Sequence, residues 1–498
     1  MNGTNWIVVW AAAMLGLGAT ASAQPTSAQS GAYTIQETRL GPMDAPVVSP
    51  VFSGDGRHFA YVTKRGETQC VVVDGQAGLE YDKIGSLIFS PDGNRVAYAA
   101  RRGNKWLAVV DGRADAEYDA VGSPIFSQDG KRVAYVAVKG TTWFVVVDGQ
   151  AGAEYDGIGK GTLIFSPDGK GMAYVAVKGT KWFVVVDGQA SPEYGQILNG
   201  SLIFSPDGKR VAYGAVKGAK ELVVVDGQAS TEYDGIAQAS LIFSPDGKRV
   251  AYGAGKGDKW LMVVDDQAGP EYDAIACLIF SADGKRVAYD AQKGPKWFVV
   301  VDGQAGAEYD DASNSNVIFS PDGKRVAYAA RNGQKWFAVV DGRAGAEYDV
   351  IGTGTLIFSP DGKRVAYGAS KGAKWFVVVD GQAGAEYDGI AQGTLIFSPD
   401  GKRVAYAARN GQKWLVVVDG QAGAEYDGIG SLIFSPDGKH VAYAAWKGSK
   451  RMVVVDGQAG AAYQGVFKGT LNFSPDGVLE FLAMKENSLY RVKYIPVP

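Results

Sequence analysis

The sequence predicts an all-β protein, a β-propeller of twelve four-stranded antiparallel blades, and three observations predict it. A Phe-Ser-x-Asp-Gly motif occurs twelve times, with its Phe at Phe52, Phe89, Phe126, Phe165, Phe204, Phe243, Phe280, Phe319, Phe358, Phe397, Phe434 and Phe473, at a period of 37 or 39 residues. Each complete unit then carries Val-Asp 22 residues after that Phe and a Tyr 7 residues later, as at Asp187 and Tyr194. No stretch inside the repeats keeps a 3.6-residue apolar period, so no helix is expected there. Four short strands every ~40 residues is the pattern of a propeller blade.

The unit around Phe165 shows why each strand is placed where it is. Strand A is read at 162–166 and ends at the Pro167-Asp168-Gly169 turn. Strand B is read at 172–177 and leaves through Lys178-Gly179-Thr180. Strand C, 182–186, is rich in β-branched and aromatic residues, and the Asp187-Gly188 turn follows it. Strand D is read at 193–197. Asp-Gly and Pro-Asp-Gly between apolar runs are turn signals, because Gly takes positive φ and Pro pre-sets φ. Only the stretch from Tyr to the next Phe varies, being 8 or 10 residues. That variation is placed in the D–A connection, where a step of two keeps every side chain on its own face of the pleat.

Tyr recurs at two positions per unit, as at Tyr174 and Tyr194, and Phe at one. Positions filled so uniformly read as core between blades. The twelfth unit stops after two strand-like stretches, at 479–484 and 489–494, and lacks strand D. Residues 33–40 form an unattached strand that can supply it, which would leave the ring no open edge. One ring of twelve is the expectation, because the connection between the sixth and seventh units is of the short kind; two rings of six are the alternative.

The chain of 498 residues has a net charge of −3, 46% hydrophobic residues and 21% charged ones. That composition is ordinary for a globular protein, and the lack of basic excess argues against a nucleic-acid partner. Cys70 and Cys277 lie in different repeats, so no disulfide is expected. Residues 6–21 are almost all apolar or small, and Ala21-Ser22-Ala23 has the small-x-small form of a cleavage site. Residues 1–23 therefore read as an export signal, 24–32 as a linker and 33–498 as the propeller, in a periplasmic or secreted monomer with no membrane span once the signal is removed. No Cys stands beside the cleavage site to take a lipid.

The string Phe-Ser-Pro-Asp-Gly-Lys-Arg-Val-Ala-Tyr, as at 243–252, resembles the TolB-like, WD40-like propeller repeats often called PD40. The resemblance covers about 33–498 and implies a propeller in a bacterial envelope or exported protein. It does not carry over the role of TolB, which joins an α/β domain to its propeller; no α/β segment is present here. Neither is a hydrolase domain, nor the Gly-His and Trp-Asp marks of ordinary WD40 repeats.

Enzyme motifs are weak. Gly368-Ala369-Ser370-Lys371-Gly372 matches a nucleophile elbow but falls in a B–C loop, with no helix and no His partner. Gly157-Ile158-Gly159-Lys160-Gly161 looks phosphate-binding but no helix follows it. The only histidines, His58 and His440, stand where other units carry Arg. The Asp of the Ser-x-Asp-Gly turns recurs in every unit, which fits an Asx-turn better than calcium. No cofactor, metal or catalytic residue is expected.

One feature exceeds structure. Strand C opens with Trp106, Trp143, Trp182, Trp260, Trp297, Trp336, Trp375 and Trp414, while Gln69, Glu221 and Arg451 stand there in other units. A position that accepts those residues is half exposed. The neighbouring B–C loops carry Lys139, Lys178, Lys217, Lys256 and Lys293. These residues are the candidate binding site. The expected function is a non-enzymatic exported scaffold for protein partners; the alternative is a multivalent binder of envelope polysaccharide through the Trp/Lys array.

Overall fold

A computed structural model describes residues 26–30, 33–42, 48–54, 56–312 and 317–497. The expected export signal lies outside the described residues. Among the described residues there is no helix, so none is long and apolar enough to cross a membrane.

The chain folds into a single ring of twelve antiparallel blades. In the fourth, strand A is Gly157–Ile158 and Ile164–Phe165, strand B Met172–Lys178, strand C Lys181–Val186 and strand D Gln189–Ala190. Strand B pairs with both pieces of A and with C, and C pairs with D. Strand D continues to Tyr194, which exchanges backbone hydrogen bonds with Trp182.

Two expectations are corrected here. The segment read as one strand, 193–197, belongs to two blades: Tyr194 ends strand D, while Gly195 already donates its N–H to Val216 O of the fifth blade, and Gln196–Ile197 opens that blade's strand A. No loop intervenes, so the sequence shows no break. The length variation sits inside strand A. In long units a turn divides the strand, closed by Thr162 N–H and Thr162 Oγ on Gly159 O. In three of the short units strand A is continuous with a register shift, as in Lys83–Phe89, Ala274–Phe280 and Gly428–Phe434.

The turns explain themselves chemically. At the A–B turn Ser205 Oγ donates to Asp207 Oδ1 (2.7 Å), Asp207 Oδ1 accepts Lys209 N–H (3.2 Å), and Ser205 Oγ accepts Arg210 N–H (2.9 Å). The Ser is fully buried and its hydroxyl is satisfied within the turn. At the C–D turn Asp226 (φ 52°) and Gly227 (φ 80°) both take left-handed conformations, the type I′ geometry that suits a tight hairpin. Asp226 Oδ1 then accepts Val211 N–H (2.9 Å), tying this turn to strand B.

Twelve apolar clusters, each straddling one junction between blades, decide the ring. Met262 and Val264 of the sixth blade pack against Tyr289 and Phe298 of the seventh, where two separate rings would part. Phe59, Tyr61 and Val72 of the first blade pack against Leu482 and Leu489 of the twelfth. At most junctions the strand D Tyr meets the strand B Tyr of the next blade edge-on, as Tyr194 meets Tyr213 at 6.0 Å and 77°. Such a pair contributes about 0.5–1.5 kcal/mol beyond its buried area. The recurrent Tyr positions are core between blades, as their uniformity implied.

The ring closes as the sequence suggests. Tyr33–Pro42 pairs with Ser488–Pro496 and serves as strand D of the twelfth blade, with Tyr33 opposite Pro496 and Ile35 opposite Tyr494. Within the stretch read as a linker, Thr26–Ser30 forms a further strand outside it. Glu37 is the polar lock: Tyr463 Oη donates to its Oε1 (2.8 Å) and Lys485 Nζ to its Oε2 (2.7 Å).

Candidate functional site

Two polar clamps, one at each end of the blades, join neighbours. At the turn end Arg210 Nε donates to Asp226 Oδ2 (2.8 Å) within its blade. Its Nη1 reaches Lys248 O (2.6 Å) in the next blade's turn, and the guanidinium lies 5.4 Å from the Phe243 ring. Arg95, Arg249, Arg286, Arg325, Arg364 and Arg403 repeat this arrangement. At the hairpin end Lys296 Nζ (2.6 Å) and Gly333 N–H (2.6 Å), from consecutive blades, both donate to Asp310, and they hold its carboxyl below the ordinary range. The frame thus uses most of its charged groups on itself.

The exceptions are informative. His58 and His440 replace the clamp Arg, each with Nδ1 2.6 Å from Asp74 or Asp456. They keep the bond within the blade but are too short for the neighbour's turn. At the closing junction Arg491, from strand C, takes over: its Nη2 donates to Gly56 O (2.8 Å) and Arg57 O, the carbonyls equivalent to those that Arg95 holds elsewhere. The junction between blades four and five has neither clamp, because Gly171 stands for the Arg and Gly195 for the Asp.

All eight candidate Trp residues are half-buried at the hairpin end. Trp143, Trp182, Trp297 and Trp336 pack against the clusters between blades. Trp106 and Trp375 lie against strand A glycines of their own blades, Gly85 and Gly352, and Trp260 lies against Gly235 and Gly255. Arg331 covers the ring of Trp336 at 5.8 Å and Arg409 that of Trp414 at 6.0 Å. In the eleventh blade the cross-strand pair is exchanged, Trp446 standing on strand B opposite Arg451, and the stacked contact survives at 5.5 Å. Where Trp is replaced, Gln69 Oε1 accepts Ile84 N–H (2.7 Å) and Glu221 Oε2 accepts Ile236 N–H (2.6 Å), both from the next blade. The position therefore bridges blades. The candidate lysines are exposed at the hairpin tips. Lys217 pairs with Glu232 and Lys256 with Glu271, both at 3.0 Å; Lys139, Lys178 and Lys293 have no ion pair among the described residues.

Sequence reasoning missed the two most individual places. A cavity of about 230 Å³ lies between blades five and six beside Glu221. A larger one, about 1030 Å³, lies at the closing junction, lined by Arg57, His58, Glu480, Arg491 and Lys493. At the smaller cavity Ala239 takes φ +57°, where the matching residues are Gly200 and Gly393. A left-handed non-glycine costs about 1–2 kcal/mol, and the extra freedom of unfolded Gly returns about 0.4–1 kcal/mol of that. Ala239→Gly is expected to stabilise the protein by about 0.5–1 kcal/mol, measured by denaturant unfolding.

The Gly368–Gly372 stretch is placed differently from the loop that its sequence suggests. Ser370 is buried within strand B, Val365–Lys371, not in a loop, and pairs across to Trp375. Among the described residues no group of three His, Cys, Asp or Glu side chains is placed to hold a metal ion. Both cysteines are free thiols. Cys277 reaches the surface, yet desolvation of its thiol, with the carboxylate of fully buried Asp290 beside it, pushes its pKa up to about 12. Alkylation proceeds through the thiolate. Cys277 is expected to react with iodoacetamide at pH 8 at least 100-fold more slowly than a free thiol of ordinary pKa.

The chain resembles a eukaryotic initiation factor at 13% identity and a TM-score of 0.33, over 91% of this chain and 92% of that one. It resembles the β-propeller domain of the Trilobed protease from Pyrococcus furiosus at 15% identity and a TM-score of 0.26, over 53% of this chain and 93% of that one. TolB from Acinetobacter baumannii matches at 16% identity and a TM-score of 0.23, over 59% of this chain and 78% of that one. No protein-family model and no curated protein matches the sequence. The twelve-bladed ring stands on its own strand pairing and packing.

Proposed function

We propose that the ring is an exported, non-enzymatic scaffold that binds protein partners through its hairpin end. The observation that carries this reading is the set of lysines that, among the described residues, the hairpin end leaves free beside its clamps. At the turn end the Arg, Asp and carbonyl groups are consumed by the clamps, and the turn lysines lie beside their own turn aspartates, as Lys209 beside Asp207. At the hairpin end the same short loop recurs around the ring, and Lys139, Lys178 and Lys293 extend from it unpaired among the described residues. Junctions fixed by packing and, in most cases, by clamps make this a preorganised surface, so little ordering entropy opposes binding. Tips of one length, built on Gly in the first eleven blades, suit a partner that engages several at once. The apolar N-terminal stretch ending in Ala21-Ser22-Ala23 supports export.

Residues 24–498 used as bait in envelope extract of the source organism are expected to capture a protein at fixed stoichiometry. Lys139→Glu, Lys178→Glu and Lys293→Glu together are expected to release it. Capture of polymer without protein would overturn this reading in favour of polysaccharide binding. Capture unchanged by the triple substitution would remove the hairpin end from it.

A further inference from the structure

We infer that the cavity between blades five and six is a guanidinium site that receives one arginine side chain. Several departures from the repeat meet at blade five. Glu221 stands where eight blades carry Trp, and the preceding junction has lost both clamps through Gly171 and Gly195. Replacing an indole by a shorter side chain opens the cavity, and the replacement brings a carboxylate.

That carboxylate is fixed. Glu221 Oε2 accepts Ile236 N–H (2.6 Å), and the strand around it is pinned by the paired backbone bonds between Glu221 and Tyr233. No cation pairs with Glu221 among the described residues, because Lys217 and Lys220 on the same hairpin are taken by Glu232 and Asp234. Oε1 and the second lone pair of Oε2 remain for a ligand.

The walls set the ligand's shape. Leu198, Ile236, Ala237 and Leu241 are half-buried or buried and make an apolar floor; Gln196, Asn199 and Gln238 are exposed and form an amide rim. A volume of about 230 Å³, at about 30 Å³ for each water in the liquid, holds about seven or eight heavy atoms. An arginine side chain fills that space. Its stem matches the floor, and its planar fork matches a carboxylate flanked by amide oxygens. The shorter, more strongly hydrated lysine fills less of the space and donates in no fixed plane.

The site rests on the scaffold reading only for the source of the arginine, a partner protein, and is tested without that partner. N-acetyl-arginine amide is titrated into residues 24–498 by calorimetry, with the neutral N-acetyl-citrulline amide as control. Saturable binding of the arginine probe is expected, at least tenfold tighter than that of the citrulline probe. Glu221→Gln is expected to weaken it at least tenfold. Glu221→Trp, which restores the side chain of eight other blades and so keeps the fold, is expected to abolish it. No saturable binding, equal binding of the two probes, or binding retained by either variant would overturn the inference. A ring that binds the probe but captures no protein would keep the site and overturn the scaffold. A ring that captures a partner yet binds no probe would do the reverse.

Discussion

Removing residues 1–42 is expected to cost about 5 kcal/mol or more of stability and to make the protein self-associate. The deletion takes strand D from the twelfth blade, and with it the buried side chains of Tyr33 and Ile35. Burying each contributes about 1.5–3 kcal/mol. It also removes Glu37, whose side chain is only 10% exposed and whose carboxylate holds both Lys485 Nζ and Tyr463 Oη. Losing these two hydrogen bonds to a charged acceptor, whose donors then turn to water, adds about 1–3 kcal/mol. The strand Ser488–Pro496 then becomes an unpaired edge, a template for pairing between molecules. Denaturant unfolding and light scattering measure the two effects. A peptide of residues 26–42 added in trans is expected to restore part of the stability and suppress the association. A deletion variant as stable and monodisperse as the full chain would refute closure by this strand.

The second large effect is acid unfolding. The A–B turn aspartates, such as Asp168, Asp207 and Asp246, have carboxyl groups held below the ordinary range, first by the Ser hydroxyl and then by the backbone N–H two residues on. The hairpin-end aspartates are lowered too: Asp234 first by Gly257 N–H and then Lys220, and Asp273 first by Lys259 and then Gly294 N–H. A folded pKa below the unfolded value means that the unfolded chain binds more protons as pH falls. The contribution of these groups is complete above the unfolded value, about 3.9, and is lost as pH falls through the lower folded values. Stability from denaturant unfolding is therefore expected to be nearly flat from pH 7 to 5 and to fall steeply below pH 4. The fall is steep because the same group recurs around the ring. A decline already well advanced at pH 6 would contradict this assignment.

The fold was legible because each blade repeats the same local chemistry. The Asp-Gly turn, the Phe and the two Tyr positions recur in step, and repetition separates what a blade requires from what it tolerates. The boundary between strands D and A was not legible, since Tyr194 and Gly195 belong to different blades with no loop between them. The half-exposure of the Trp position could be read from Gln69, Glu221 and Arg451. Its role as a bridge could not, because Ile84 and Ile236 lie in the following blade. The clamp arginines were visible as a recurring residue, but their partners come from a turn 16 residues away and from the next blade, distances that only the folded ring brings together. The cavity at Glu221 left one trace in the sequence, the carboxylate itself.

The central claim is a single closed ring whose blades follow one another through all twelve junctions. Top-view electron micrographs of residues 24–498 test it most directly. The packing of Met262 against Phe298 and of Phe59 against Leu489 predicts one ring of twelve spokes. Paired discs of six spokes, or an open arc with a gap between the first and twelfth blades, would contradict it.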